Sequence, residues 1–288
     1  MFTDAKCRLA SAAFAALLIL SVFWPSPVVG VNQLCCDARL SIDDLSFLGR
    51  EAPSWDVVFW CIAGVLALAV LQDVREVRPV AAEFRATRVR LGIRTAVAFV
   101  ASAVLVAALW MFVDARATAF SERIATDNVQ DWIRLANRFG GGMNPVMIIG
   151  FFLFAGLAYA RPRWTGFAIR MALAGAAGGI IVQIVKFAVA RTRPELWLGP
   201  FQHARSSASS FPSGHTVGAF ALAGVLMFDS ESKTMRVVAA LLALAVAVSR
   251  VLAFRHWTSD VTASAAIGMI AAATLSRRRS AECRVPSA

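Results

Sequence analysis

The chain has 288 residues, of which 58% are hydrophobic and 16% charged. A soluble globular domain carries about 45–50% apolar and about 25% charged residues, so this composition excludes one, and the apolar excess falls in blocks of about 17–23 residues, the span of a bilayer core. The formal net charge of +11 would favour nucleic acid in a soluble protein, but much of it sits in short loops between apolar blocks, where it sets membrane orientation, and no nucleic-acid partner is expected.

In chain order, apolar runs predict membrane-spanning helices at roughly 9–30, 56–73, 94–113, 144–160, 168–186, 213–228, 236–254 and 259–276. The expected fold is an all-α, polytopic transmembrane helical bundle. Lys6 and Arg8 precede the first run, which gives it the look of a signal peptide. Trp24, Pro25 and Pro27 follow where a small-residue cleavage site would stand, so the run is read as a retained helix. Cys7, Cys35, Cys36, Cys61 and Cys283 are scattered without metal-ligand spacing. Adjacency argues against a disulfide between Cys35 and Cys36.

Arg75, Arg78, Arg85, Arg88, Arg90 and Arg94 crowd the loop after the second run. Arg161 and Arg163, Lys233, and Arg277 to Arg279 mark further loops on the same side, which the positive-inside rule makes cytoplasmic. The loops near 31–55, 114–143, 187–212 and 255–258 then face outward. The segment 114–143 carries Trp132, Ile133, Leu135 and Phe139 among polar residues. It reads either as an amphipathic helix on the membrane surface or as a folded loop. Gly175 and Gly179 form a GxxxG pair suited to close helix packing. The tail beyond Ser280 reads as disordered.

Three polar clusters stand at the outward ends of apolar runs, where ionisable groups mark function. In the first, Lys186 and Arg193 are seven apart, so a helix ended by Pro194 would carry both cations on one face, as a dianion requires. Arg191 falls off that face and reads as an interfacial charge. In the second, Pro212, Ser213, Gly214 and His215 open an apolar run. A helix N-terminus there would offer free N–H groups to an anion, Ser213 would add a hydroxyl or cap the helix, and His215 would protonate a leaving oxygen. In the third, His256 and Asp260 are four apart and would share a helix face, the carboxylate orienting the imidazole. Arg250 would grip phosphate oxygens or else pair with Asp260. His203 reads as a solvated loop histidine, with Arg205 beside it.

Lys-x6-Arg-Pro at Lys186, Arg193 and Pro194, then Pro212-Ser213-Gly214-His215, then Ser249-Arg250-x5-His256-x3-Asp260 resembles the tripartite signature of the type 2 phosphatidic acid phosphatase (PAP2) superfamily. The resemblance covers roughly residues 95–276. It implies a six-helix phosphatase core there, an N-terminal transmembrane extension with a basic loop over 1–94, and a basic tail over 277–288. It also implies that His256 attacks phosphorus to form a phosphohistidine, that Asp260 orients it, and that His215 is general acid and then base. Lys186, Arg193, Ser213, Gly214 and Arg250 would hold the phosphate oxygens. No metal or other cofactor is implied.

The expectation is an integral-membrane lipid phosphatase with its site at the outer face, periplasmic if the source is a bacterium. Its substrate would be an isoprenyl diphosphate, phosphatidylglycerol phosphate, phosphatidic acid or a lipid A phosphate. A lipid phosphotransferase would use the same phosphohistidine. A transporter would spread its charges through several spans, whereas these gather at one face, and a soluble haloperoxidase does not fit the membrane architecture.

Overall fold

In the computed structural model, residues 91–124, 144–196, 198–203 and 209–276 are described, with short stretches at 83–85, 87, 89, 129, 132–133 and 135–136. The first two expected spans, the five cysteines, Arg205 and the basic tail lie outside them.

The described chain is helical. Its helices are α1 (Ile93–Phe112), α2 (Asp114–Ile124), α3 (Asn144–Ala158), α4 (Pro162–Val189), α5 (Gly214–Asp229), α6 (Lys233–Leu252) and α7 (Thr258–Leu275), with a 3-10 turn at Pro194–Leu196. Four of them, α1, α4, α6 and α7, are long and apolar enough to cross a membrane, and α3 and α5 are shorter apolar helices. These six coincide with the last six expected spans to within a few residues, except that α4 begins six residues earlier than the run at 168 suggested. Arg163 and Arg170 hid its first turns. Pro162 starts it in a position where a missing N–H costs nothing.

Helix α5 lies at the centre and packs on α4, α6 and α7, while α3 packs on α4 and α1 on α7. The core is made of Phe152, Phe167, Met171, Ala174, Leu222, Val225, Ala272 and Leu275. Small residues bring the axes together. A Cβ on Gly268 of α7 would lie 2.7 Å from both Ala221 N and Val217 O of α5. The outward faces of α1 and α6 stay apolar, with Phe99, Val104, Leu241 and Leu244 all more than half exposed, as lipid-facing helices require.

At one end of the bundle, Arg163 makes a two-pronged pair with Glu231. Below it Arg170 is buried against Asp229 at 2.6 Å, with Glu83 at 3.8 Å. At the other end stand the C-termini of α4 and α6 and the N-termini of α2, α5 and α7. Within the segment 114–143, α2 takes the first eleven residues. Trp132, Ile133 and Leu135 are helical further on, with Trp132 exposed and Ile133 buried.

Candidate functional site

Helix α4 ends at Ala190, which is left-handed (φ 49°) and returns its N–H to the carbonyl of Lys186. It does not run on to Pro194, so Lys186 and Arg193 do not share a helix face. Arg193 comes from the extended segment after the cap, where Thr192 N–H pairs with the carbonyl of Gln202. Lys186 Nζ donates to the Ser209 carbonyl at 3.3 Å. Arg193 Nη1 reaches Glu195 at 3.3 Å, and its Nε is buried without a hydrogen-bond partner in the protein. Glu195 also accepts from Arg255.

Ser213 is the N-cap of α5. Its hydroxyl accepts from Thr216 N–H (3.4 Å) and Thr216 Oγ1 (3.0 Å), and its own N–H donates to Ser264 Oγ at 2.7 Å. Both readings of Ser213 therefore bear on one atom: it caps, and it keeps a proton to donate. Gly214 is exposed at the first turn, and a Cβ there would meet only Val182 at 3.9 Å. The N–H groups of this helix start carry the positive end of the helix dipole. His215 follows, under the electrostatic influence of Arg250, His256, Lys186 and Arg193. The three clusters stand at the same end of the bundle, linked by Lys186 Nζ to the Ser209 carbonyl and His256 Nδ1 to the Ser210 carbonyl.

His256 is not on a helix. It sits in the turn between α6 and α7, where the Arg250 carbonyl accepts the N–H groups of both Arg255 and His256. Its ring is buried, and Nδ1 lies 2.7 Å from the Ser210 carbonyl. A carbonyl only accepts, so Nδ1 carries the hydrogen and Nε2 holds the lone pair. Asp260 Oδ2 is 3.8 Å from Nδ1, too far for a hydrogen bond. The expected direct carboxylate–imidazole bond is replaced by the serine carbonyl, with the carboxylate charge close by. Burial pushes the His256 pKa down, Asp260 opposes that, and Arg250 and Lys186 add to it.

Asp260, in the first turn of α7, accepts from Trp257 N–H at 2.9 Å and from the Ser210 hydroxyl. Its cationic partner is Arg191, at 2.6 Å. Arg191 is fully buried, between Asp260 and Asp114, and so is no interfacial charge. Sequence reasoning missed Asp114, Arg191, Ser210 and Ser259. The available signal was that Asp114 is an ionisable residue beside an apolar run with no role assigned, and that Arg191 is a second such charge, read as interfacial. His203 is exposed as expected, but its Nδ1 lies 2.8 Å from the last carbonyl of α4, that of Val189. Among the described residues no group of three or more His, Cys, Asp or Glu could hold a metal ion.

Residues 167–282 match the family model of the PAP2 superfamily. The chain is 34% identical over 109 residues to a lipid A 1-phosphatase of Porphyromonas gingivalis, covering 37% of this chain and 22% of that protein. It is 27% identical over 134 residues to phosphatidylglycerophosphatase B of Bacillus subtilis, covering 43% of this chain and 61% of the relative. The chain therefore spans less than two thirds of either. A crystal structure of a transmembrane PAP2-type phosphatidylglycerolphosphate phosphatase from Bacillus subtilis superposes with a TM-score of 0.51 at 22% identity, over 62% of this chain and 91% of that one. The shared fold and the apolar helices make this an integral membrane protein.

Proposed function

We propose that this chain, whose residues 167–282 match the PAP2 superfamily model, is a membrane lipid phosphatase that cleaves a phosphomonoester or diphosphate of a lipid through a phosphohistidine. The observation that carries this reading is the hydrogen bond from His256 Nδ1 to the Ser210 carbonyl, which leaves Nε2 as the basic nitrogen. His215 lies within electrostatic reach of His256 and of the cations Arg250, Lys186 and Arg193.

In the first step Nε2 of His256 attacks phosphorus, a P–N bond forms, and the P–O bond to the leaving group breaks. His215 gives its proton to that oxygen. In the second step His215 takes a proton from water, the water oxygen attacks phosphorus, and the P–N bond breaks to return neutral His256. Lys186, Arg193 and Arg250, the Ser213 hydroxyl and the amide of Gly214 meet the charge on the equatorial oxygens. Phosphoryl transfer asks little else of a protein than such positioning and electrostatic support. The cations take the place that a metal ion would otherwise fill.

The phosphate-holding end of the bundle lies opposite Arg161, Arg163, Lys233 and Arg236. The positive-inside rule supports an outward-facing site, which would be periplasmic if the source is a bacterium. The lipid tails stay in the bilayer while the head group enters the pocket. The names of the two sequence relatives support a phosphorylated lipid as substrate.

The test is phosphate release, with a chelator present, from phosphatidic acid, phosphatidylglycerol phosphate, an isoprenyl diphosphate and a lipid A phosphate. Release from at least one, lost in His256→Ala, is expected. Activity on soluble phosphate esters only would sink the lipid assignment.

A further inference from the structure

Behind the pocket, the hydrogen bonds of Asp260 continue into a buried cluster that the proposed chemistry does not use. Arg191 Nη1 donates to Asp260 Oδ1 at 2.6 Å, and Nη2 donates to Asp114 Oδ2 at 2.7 Å. Arg191 Nε donates to the Pro200 carbonyl at 2.9 Å. Ser259 closes the arrangement: its N–H donates to Asp114 Oδ1, its hydroxyl donates to Asp114 Oδ2, and it accepts from Arg191 Nη1. The guanidinium stacks between Trp110 and Trp257, 4.0 and 5.1 Å from their ring centroids. Asp114, Arg191 and Asp260 are all 0% exposed.

Such a cluster is a poor way to gain stability. Each buried ion costs several kcal/mol of desolvation, and apolar residues of similar volume often do as well. What the cluster provides is position. Arg191 saturates Oδ1 of Asp260 and leaves Oδ2 for the Ser210 hydroxyl and Trp257 N–H. The backbone carbonyl of Arg191 also accepts the Ser210 N–H at 2.7 Å. Ser210 is thus gripped twice from Arg191, once directly and once through Asp260, and its carbonyl sets the imidazole of His256. Asp114 in turn fixes the far side of the guanidinium, and it lies outside residues 167–282.

We infer that Asp114 and Arg191 are positioning residues of the phosphoryl-transfer centre: the buried Asp114–Arg191–Asp260 bridge holds Ser210, and Ser210 holds His256 in line. The inference rests on His256 as nucleophile. It requires that the bridge act on the chemical step and leave phosphate binding alone, because Lys186, Arg193 and Arg250 stand outside it.

The experiment is steady-state kinetics of the full chain in mixed micelles of phosphatidylglycerol phosphate, with inorganic phosphate as competing ligand, for Asp114→Asn, Ser259→Ala and His256→Ala. A misplacement of about 1 Å costs on the order of 10²-fold in rate, so Asp114→Asn should lose roughly that much kcat. KM and the inhibition constant of phosphate should stay within about threefold, since the groups that bind the anion are untouched. Ser259→Ala, which removes only the hydroxyl link between Asp114 and Arg191, should lose kcat in the same pattern, and it serves alone if Asp114→Asn does not fold. Native kcat within twofold in the folded variants would overturn the inference, as would phosphate binding weakened as much as kcat. Turnover retained by His256→Ala, or absent from the native chain, would instead fall on the reading of the site itself.

Discussion

His256 and Ser210 are joined by a 2.7 Å hydrogen bond from imidazole Nδ1 to backbone carbonyl, across 46 positions of sequence. This bond settles the tautomer of a buried histidine without a carboxylate touching it. The charge of Asp260 stands one step back, where in the proposed mechanism it would stabilise a positive imidazole as Nε2 bonds to phosphorus.

One consequence concerns pH. Burial holds the His256 pKa below its ordinary value, which is about 6.5. The native ring therefore stays neutral to a lower pH than a free imidazole would. Between the lowered native pKa and about 6.5 the unfolded chain binds a proton that the native chain does not, so stability falls as pH drops through that window and is flat above it. Histidine NMR titration, with His256→Ala identifying the signal, should give a midpoint below 6.5. A midpoint above 7 would contradict the assignment.

Arg193 has a buried Nε with no hydrogen-bond partner in the protein, which in the proposed mechanism is free to donate to a phosphate oxygen. A hydrogen bond to a charged group contributes about 1.5–3 kcal/mol, so Arg193→Ala should weaken inorganic phosphate or vanadate binding by roughly 10- to 150-fold. Arg193→Lys should recover part of this, since a point charge replaces a fork. Competition against turnover measures both.

The crossing of α5 and α7 leaves no room at Gly268. Gly268→Ala places a methyl carbon 2.7 Å from backbone atoms of Val217 and Ala221, and overpacking of this kind costs about 1–3 kcal/mol. Thermal unfolding in detergent should show a lowered Tm. Because α5 carries Ser213 and His215, and α7 carries Asp260, activity should fall with it.

Much of this was legible in the sequence. The six described apolar helices, four of them long enough to cross a membrane, followed from hydropathy, since a helix in a bilayer must be predominantly apolar. That Lys186, Arg193, Ser213, His215, Arg250 and His256 stand at one end of the bundle followed from placing their loops on one side. What failed was local geometry. Helix α4 stops at Ala190 because that residue takes a left-handed conformation, which its type does not advertise and Pro194 obscured. His256 and Asp260 have helical spacing but straddle a helix start, so the face they were to share does not exist. The burial of Arg191 could not be read because its partner Asp114 is 77 positions away, and a charge beside an apolar run looks interfacial until its partner is known.

The central claim is that His256 carries the phosphoryl group. Rapid mixing with a donor labelled in the scissile phosphate, followed by an alkaline denaturing quench and peptide mapping, tests it most directly. The account predicts a label on the peptide containing His256, formed and discharged at rates compatible with turnover, and absent in His256→Ala. A covalent label that persists in His256→Ala, or its absence from the native chain at every time during turnover, would contradict it.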